Sequence, residues 1–481
     1  MSGYIIWILL LAVWNLILFY GNNFGISVVL FIVPLLTFIY IFLKKNNLIK
    51  NKKGLLFMIP IFLLSVTYSI FDSDVFSALN CFAIPILIVM LYIFTIKPTD
   101  KLSDLIGKII CLFILPISYI GNFFRVSTTK IRGKLKVSPK TKKVLISCLI
   151  VLPVVAIVIS LLSSADMIFG ELFDAIFGKI LDFLEKLIFD DFIGRLIVFL
   201  VVFFAIGTTM MYLLYEFSNK KETEVKEEKK NRDLFTIKLL VSVLNVIYVI
   251  FDVIQIKSLM LHSVSCGINY AEYARQGFFE LLVVSVINIV IILVSKKYET
   301  KDNKKEFKFI NIMNVIMVFL TIIIIISSFL RMNLYESAYG YTTLRVLVYA
   351  TLMTETILMI PTVMYIFNSD VKIMRCYLYI SLTSYLVLNF INIDYMVARR
   401  NVDRYYINNK IDVDYLKNYG HDNIPILIEL YDKTDDVNIK IELEDYLKEM
   451  NIRYGSESIF EFNLSRYNSY NMLEKKEDLF K

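Results

Sequence analysis

Three charged residues and two tyrosines stand together in "NYAEYARQGFFE", residues 269–280, directly ahead of an apolar run that ends at Val294. On a helix, Glu272 and Arg275 share a face at a spacing that permits a local ion pair, with Tyr270 and Tyr273 nearer another face. A second stretch, "RMNLYESAYGYTTLR", repeats the theme. Arg331, Tyr335 and Tyr339 fall four apart on one stripe, Glu336 lies on a neighbouring one, and Arg345 opens the next apolar run. Carboxylate, guanidinium and phenol groups in this arrangement can recognise a polar or headgroup-like ligand, or supply a carboxylate base. An aromatic belt with snorkelling arginines accounts for the single tyrosines, but less well for the glutamates.

Further polar residues interrupt the apolar runs themselves. Glu355 lies about twelve residues into the run 343–367, roughly 18 Å deep at 1.5 Å per residue, near the bilayer centre. Asp252 and Gln255 stand near the end of the run 234–257. Ionisable groups at such depth face a bundle interior or a wet cavity and are functional candidates by default. A neutral carboxyl bonded to a neighbouring helix is the other reading of Glu355. Asn288 and Asn389 read as helix-to-helix hydrogen-bonding residues.

These residues need a membrane around them. Of the 481 residues, 57% are apolar and 20% charged, against about 45–50% and about 25% in soluble domains. Eleven runs are long enough to cross a bilayer: 4–20, 24–43, 55–71, 75–96, 144–162, 196–215, 234–257, 277–295, 309–329, 343–367 and 376–392. With these spans and the N-terminus inside, the cytoplasmic loops carry 30 Lys and Arg and the opposite loops 6. The stretch 105–120 is shorter, holds Lys108 and Pro116, and is expected in the cytoplasmic interface or as a re-entrant segment. Spanning there would turn "RVSTTKIRGKLKVSPKTKK" outward.

The expected fold is therefore all-α, a polytopic transmembrane helix bundle with a small C-terminal helical domain. Its parts are 1–232, 233–392 with the polar motifs, and 393–481, the last acidic and expected outside the cytoplasm. Residues 164–191 repeat apolar residues at helical spacing opposite an acidic face, as a helix in the outer headgroup region or packed on the bundle would. In the tail, Asp412, Asp422, Asp435 and Asp436 each precede an apolar turn as helix caps, and the residues from about Ser465 look frayed. A His421/Asp422 pair in "GHDNIP" reads as a cap rather than as catalytic machinery.

Several function classes lack their signatures. Two histidines and five scattered cysteines, without a CxxC pair, give no basis for a metal centre or disulfide framework. Neither a phosphate-binding loop, a dinucleotide fingerprint, HExxH nor GxSxG occurs, so no cofactor is expected. The basic run at 125–143 has no nucleic-acid module beside it and reads as a topology signal that touches anionic lipid.

The motifs "VIQIKSLM", "YAEYARQGFFEL", "LYESAYGYTTLR", "INIDYMVARRNVDRYY", "IDVDYL", "HDNIPILIEL" and "FNLSR" together resemble a bacterial family of polytopic membrane proteins, the domain of unknown function 4173 type. The likeness covers about residues 234–467. It rests on Gln255; on Tyr270, Glu272, Tyr273, Arg275, Gly277 and Phe278; and on Tyr335, Tyr339, Gly340, Thr342 and Arg345. In the tail it rests on Asn392, Asp394, Arg399, Asn401, Arg404, Asp412, Tyr415, Leu416, Asp422, Pro425, Asn463, Ser465 and Arg466. Where that family's pattern has Asn-Pro-Asp-Ala, this chain has Asn392-Ile393-Asp394-Tyr395. The resemblance implies a bacterial cell membrane and a tail coupled to the bundle, and it implies no activity.

The sequence favours a non-enzymatic bundle over an enzyme. Its partners are membrane lipids and an envelope lipid or small polar solute, bound or moved through an outward-facing Tyr/Glu/Arg mouth, with Asp252 or Glu355 coupling protons. An envelope glycolipid or acyl transferase with Glu272, Glu336 or Asp394 as base is the alternative, as is a sensor or assembly partner that reads a signal through its tail.

Overall fold

A computed structural model describes residues 2–100, 102–128, 191–217, 234–256, 278–297, 304–454 and 458–476. Among the described residues the chain is helical throughout, with no strand, as the composition requires of a bilayer protein that must satisfy its backbone within each segment. Eight helices are long and apolar enough to cross a membrane, or nine if the bent pair Ile373–Phe390 and Ile393–Asn408 is one span. They make the chain an integral, multi-pass membrane protein. The expected run 144–162 and most of the amphipathic segment 164–191 lie outside the described residues.

The chain forms two compact units, the first comprising Met1–Ile70, Asn80–Glu222 and Glu457–Asn463. It contains α1 (Ile5–Phe19), α2 (Ile26–Lys45), α3 (Met58–Ile70), most of α4 (Asp74–Ile96), α5 (Leu102–Ile114), α6 (Ile120–Thr128) and α7 (Asp191–Tyr212). Trp14 Nε1 donates to Leu30 O at 2.9 Å and pins α1 to α2. Pro116 does not end its helix, because Leu115–Tyr119 carries α5 into α6 as a 3-10 turn. The stretch expected at 105–120 thus extends over Asp104–Ser127, 24 residues, enough by length and composition to cross.

The second unit comprises Phe71–Leu79, Thr223–Ser456 and Leu464–Lys481. Its membrane part is α8 (Leu234–Gln255), α9 (Phe278–Lys297), α10 (Lys304–Tyr339), α11 (Thr343–Phe367) and α12 (Ile373–Phe390). Aliphatic and Met side chains such as Ile292, Met317, Leu352 and Met359 fill its core. Hydrogen bonds fix the register. α9 and α10 run antiparallel, pairing Asn288 with Thr321 and Ser295 with Asn314. α9 and α11 run parallel, pairing Ser285 with Glu355 and Lys296 with Ile366 O, both 70 positions apart.

The tail of this unit is α13 (Ile393–Asn408), α14 (Val413–Lys417), α15 (Ile424–Lys433), α16 (Val437–Tyr454) and α17 (Leu464–Glu474). It has a core of its own, with Val402, Leu416, Leu427, Leu430, Leu443 and Leu447 buried together. The expected caps at Asp412 and Asp436 are present: Asp412 accepts from Tyr415 N and Asp436 from Asn438 N, each at 2.9 Å. The expected fraying from Ser465 is not seen through Glu474, because α17 buries Ser469 and Leu473.

Candidate functional site

Within the second unit, polar side chains run along the buried stripe of α9. At one end Lys296, 5% exposed, donates from Nζ to Ile366 O at 2.8 Å and to Asn311 Oδ1 at 3.1 Å. One position before it, Ser295 Oγ donates to Asn314 Oδ1 at 2.9 Å. Two turns on, Asn288 accepts from Tyr248 OH at 2.7 Å and donates to Thr321 Oγ1 at 3.0 Å, the structural bonding expected of it. Ser285 then donates to Glu355 Oε2 at 2.5 Å. Beyond this layer Gln255 Oε1 accepts from Ser327 Oγ at 2.9 Å and from Arg331 Nη2 at 3.1 Å.

This spine collects Gln255, Arg331 and Glu355, which the sequence had placed in separate motifs. Glu355 on this spine and Asp252, one turn before Gln255 on α8, are both poorly satisfied. Among the described residues, Glu355 is 4% exposed with no hydrogen-bond partner for its Oε1, and Asp252 is 2% exposed with none for either oxygen.

The expected open mouth is different in kind. Tyr270, Glu272, Tyr273 and Arg275 lie outside the described residues. Of the second cluster, only Tyr339 stands well exposed. Arg331 does not share a surface stripe with the tyrosines; it is buried against Gln255. Glu336 is buried and hydrogen-bonded to Tyr341 and Tyr349. Arg345 is buried too, donating from Nη1 to Gly340 O while its guanidinium sits 4.2 Å from the centre of the Tyr335 ring. These charges close a turn rather than line an opening. Gly340, at φ +88°, makes that turn, and α13 clamps it: Asn401 exchanges hydrogen bonds with Tyr341 N and O at 2.9 Å, and Arg404 donates to Ala338 O at 2.7 Å.

A third cluster joins tail residues of the quoted motifs to Asp72, which no motif marks. Asp72, between α3 and α4, accepts four hydrogen bonds: from His421 N at 2.9 Å, from His421 Nδ1 at 2.7 Å, and from Arg466 Nε at 2.8 Å and Nη2 at 2.7 Å. Asp72 N in turn donates to Asp422 Oδ2 at 2.9 Å, whose other oxygen accepts from Asn392 Nδ2 at 3.2 Å. Asp422 is therefore no helix cap; it ties two chain segments together. Gly420 allows the approach, since a Cβ there would collide with the backbone and carboxylate of Asp72.

Burial works to raise Asp72, but hydrogen bonds from His421 and the charge and bonds of Arg466 outweigh it and hold the carboxyl well below the usual range. Asp422 goes the other way. Burial, helped by the charges of Asp72 and Asp394, pushes it up to about 6 against hydrogen bonds from Ser465 and Asp72 N.

From the tail, Tyr419 OH meets Thr343 Oγ1 at 2.9 Å, and Thr343 donates to Asp394 Oδ1 at 3.2 Å. Thr343 is the first residue of α11, the helix that holds Glu355 three turns further on. Among the described residues no group of three or more His, Cys, Asp and Glu is arranged to hold a metal ion.

No curated protein and no solved structure matches the chain. The model of a family described as Domain of unknown function (DUF4153) matches residues 58–430, which span α3 to α15 and so include Asp72, the polar spine and Asp422. The motifs pointed to an uncharacterised family, and the matching one carries this number rather than 4173. With most of its length matched, the chain belongs to the DUF4153 family.

Proposed function

We propose that this membrane protein binds or translocates a polar or lipid-linked component of the bacterial cell envelope through the helices of its second unit, with Glu355 coupling the movement to protons. The supporting observation is the state of Glu355: a carboxylate at mid-span, 4% exposed, with one serine hydroxyl as its hydrogen-bond partner and one oxygen unsatisfied among the described residues. An unsatisfied polar group in hydrocarbon costs several kcal/mol, so it is retained where it does work. The polar residues above and below it extend that environment along α9.

The transferase reading has less behind it. Glu336 and Asp394 are both buried and engaged in hydrogen bonds, which leaves neither free as a surface base. A sensing role for the tail fits its hydrogen bonds to Thr343, at the head of the Glu355 helix, and is compatible with transport. In this reading the tail faces outward, on the strength of the basic loops.

Comparison of the lipids and solutes that co-purify with full-length wild type and with Glu355→Gln, by mass spectrometry, tests the proposal. A species enriched on wild type should be lost from the variant. Identical profiles from two well-folded preparations would sink it.

A further inference from the structure

Three arginines gather where α13 crosses the turn between α10 and α11. Glu336 faces the charges of Arg345 and Arg400, and the Tyr341 hydroxyl faces those of Arg400 and Arg404, so the five side chains share one electrostatic environment. Three arginines against one glutamate leave two positive charges in surplus. The nearby acids do not cancel them, because Asp403 and Glu429 are both paired with Arg399. Nor do hydrogen bonds. Arg345 donates to Gly340 O, and Arg404 to Ser337 O at 3.3 Å and Ala338 O at 2.7 Å, but a carbonyl oxygen carries no unit charge to set against a guanidinium.

Arg400 differs from the other two. It is exposed, and among the described residues it has neither a hydrogen bond nor an ion pair. The chain bends by 60° between α12 and α13, and α13 grips the turn through Asn401 and Arg404, which leaves the guanidinium of Arg400 with all its donors beside Tyr341. The depth of the turn says what meets it. α11 begins at Thr343, twelve positions and so roughly 18 Å before Glu355. With Glu355 near the bilayer centre, Thr343 stands past the hydrocarbon half-thickness of about 15 Å and inside the half-thickness of about 20–22 Å that includes the headgroups. On either side of the turn Tyr339 and Leu344 are 52% and 58% exposed, a phenol and an aliphatic chain of the kind that suit the boundary between headgroup and acyl chain. An anionic phosphodiester fits this setting: a guanidinium holds two of its oxygens through parallel N–H groups, and its charge offsets the surplus. A zwitterionic headgroup carries its own ammonium and offsets nothing.

We infer that Arg400, backed by the charges of Arg345 and Arg404, binds the phosphodiester headgroup of an anionic membrane phospholipid at the α10–α11 turn. The site stands apart from the transport reading. Full-length protein in a neutral detergent, titrated with phosphatidylglycerol or with phosphatidylcholine of the same acyl chains, tests it through deuterium exchange in peptides covering 340–346. Phosphatidylglycerol should slow that exchange saturably and phosphatidylcholine should not. Arg400→Gln should raise the half-saturating lipid about fivefold, the share of one basic residue at an anionic surface. Lys410→Gln, which removes an exposed charge just beyond α13, should leave it unchanged.

Equal exchange in the two lipids overturns the site on wild type alone, whether or not a variant folds. A half-saturation that is the same in Arg400→Gln as in wild type, or that shifts equally in Lys410→Gln, overturns the role of Arg400. Inorganic phosphate added with phosphatidylcholine is the last arm, and protection by it equal to that of phosphatidylglycerol would show a free anion rather than a lipid in the site and overturn the proposal. The titration uses an added lipid and a residue outside the polar spine, so its outcome is separate from that of the comparison made for Glu355→Gln.

Discussion

His421 Nδ1 lies 2.7 Å from Asp72 Oδ2, across 349 positions of the chain. The two side chains are 10% and 13% exposed, and Arg466, 15% exposed, holds the other oxygen of the same carboxylate. Asp72→Asn keeps one acceptor oxygen and replaces the other with an NH₂ donor, so either Arg466 or His421 loses its acceptor. Breaking a buried pair from one side costs about 3 kcal/mol or more. Amides of α14 to α17 should therefore exchange with deuterium about a hundredfold faster in the variant if they open as one unit. Unchanged exchange would show that the contact does not hold the tail.

The same cluster gives the tail a pH response whose sign is set by two opposed carboxyls. Asp422, at about 6 when folded against 3.8 for an ordinary aspartate, binds its proton more tightly in the folded state. Its contribution to stability therefore grows as pH falls through 6, is complete below about 4, and is lost as pH rises. Asp72 is held well below the usual range, so its contribution is present above about pH 4 and lost below it. The groups facing Asp422 are Asp72, Asp394, Asn392 and Ser465, and Ser465 can donate to the carboxylate or accept from the acid. Tail amide protection, corrected for the chemical exchange rate, should rise from pH 7 to pH 5 by at most about 1.4 kcal/mol per pH unit, then fall below pH 4. Asp422→Asn should flatten the rise and leave the acid fall in place.

Gly340 should tolerate no side chain. Its φ of +88° disfavours any L residue, and a Cβ would stand 2.6 Å from Arg404 Nη1 and 2.7 Å from Asn401 Oδ1. Gly340→Ala is expected to lose about 1–3 kcal/mol from backbone strain alone, and more from displacing the two α13 side chains. A lowered thermal midpoint in detergent, with faster exchange at Tyr341 N, checks this. A midpoint equal to wild type would mean that α13 does not clamp the turn.

What was legible in the sequence was what is local or periodic. Apolar runs mark helices because a bilayer crossing needs roughly 20 of them, and Glu355 stood out by depth alone. Asp412 and Asp436 were readable as caps because their partners lie two or three residues on. Asp422 has the same local look, yet its partners are Asp72 N, 350 positions away, and Asn392. Nothing near residue 466 announces that Arg466 is anchored on Asp72, so the end of the chain looked frayed. Arg331, Glu336 and Arg345 were read as an open mouth because spacing gives a stripe but not its neighbours; Gln255, Tyr341 and Gly340 O take up their polar groups. Lys108 and Pro116 make 105–120 look too short to span, and the 3-10 turn around Pro116 lets the helix continue.

The side on which the tail lies turns on one segment. Thirty basic residues against six favour a cytoplasmic N-terminus and an outward tail if Asp104–Ser127 does not cross, although its 24 residues are long enough to do so. Crossing there would carry the basic stretch 130–143 to the outside and reverse every later loop, which the positive-inside bias opposes. In a background free of native cysteines, Ile441→Cys, 56% exposed on α16, should therefore react with an impermeant maleimide on intact cells. Lys52→Cys, exposed at the start of the 3-10 helix that leads into α3, should react only after permeabilisation. If both sites react only after permeabilisation, Asp104–Ser127 is a true span and the tail is cytoplasmic. The proton response of Asp422 would then read internal rather than external pH.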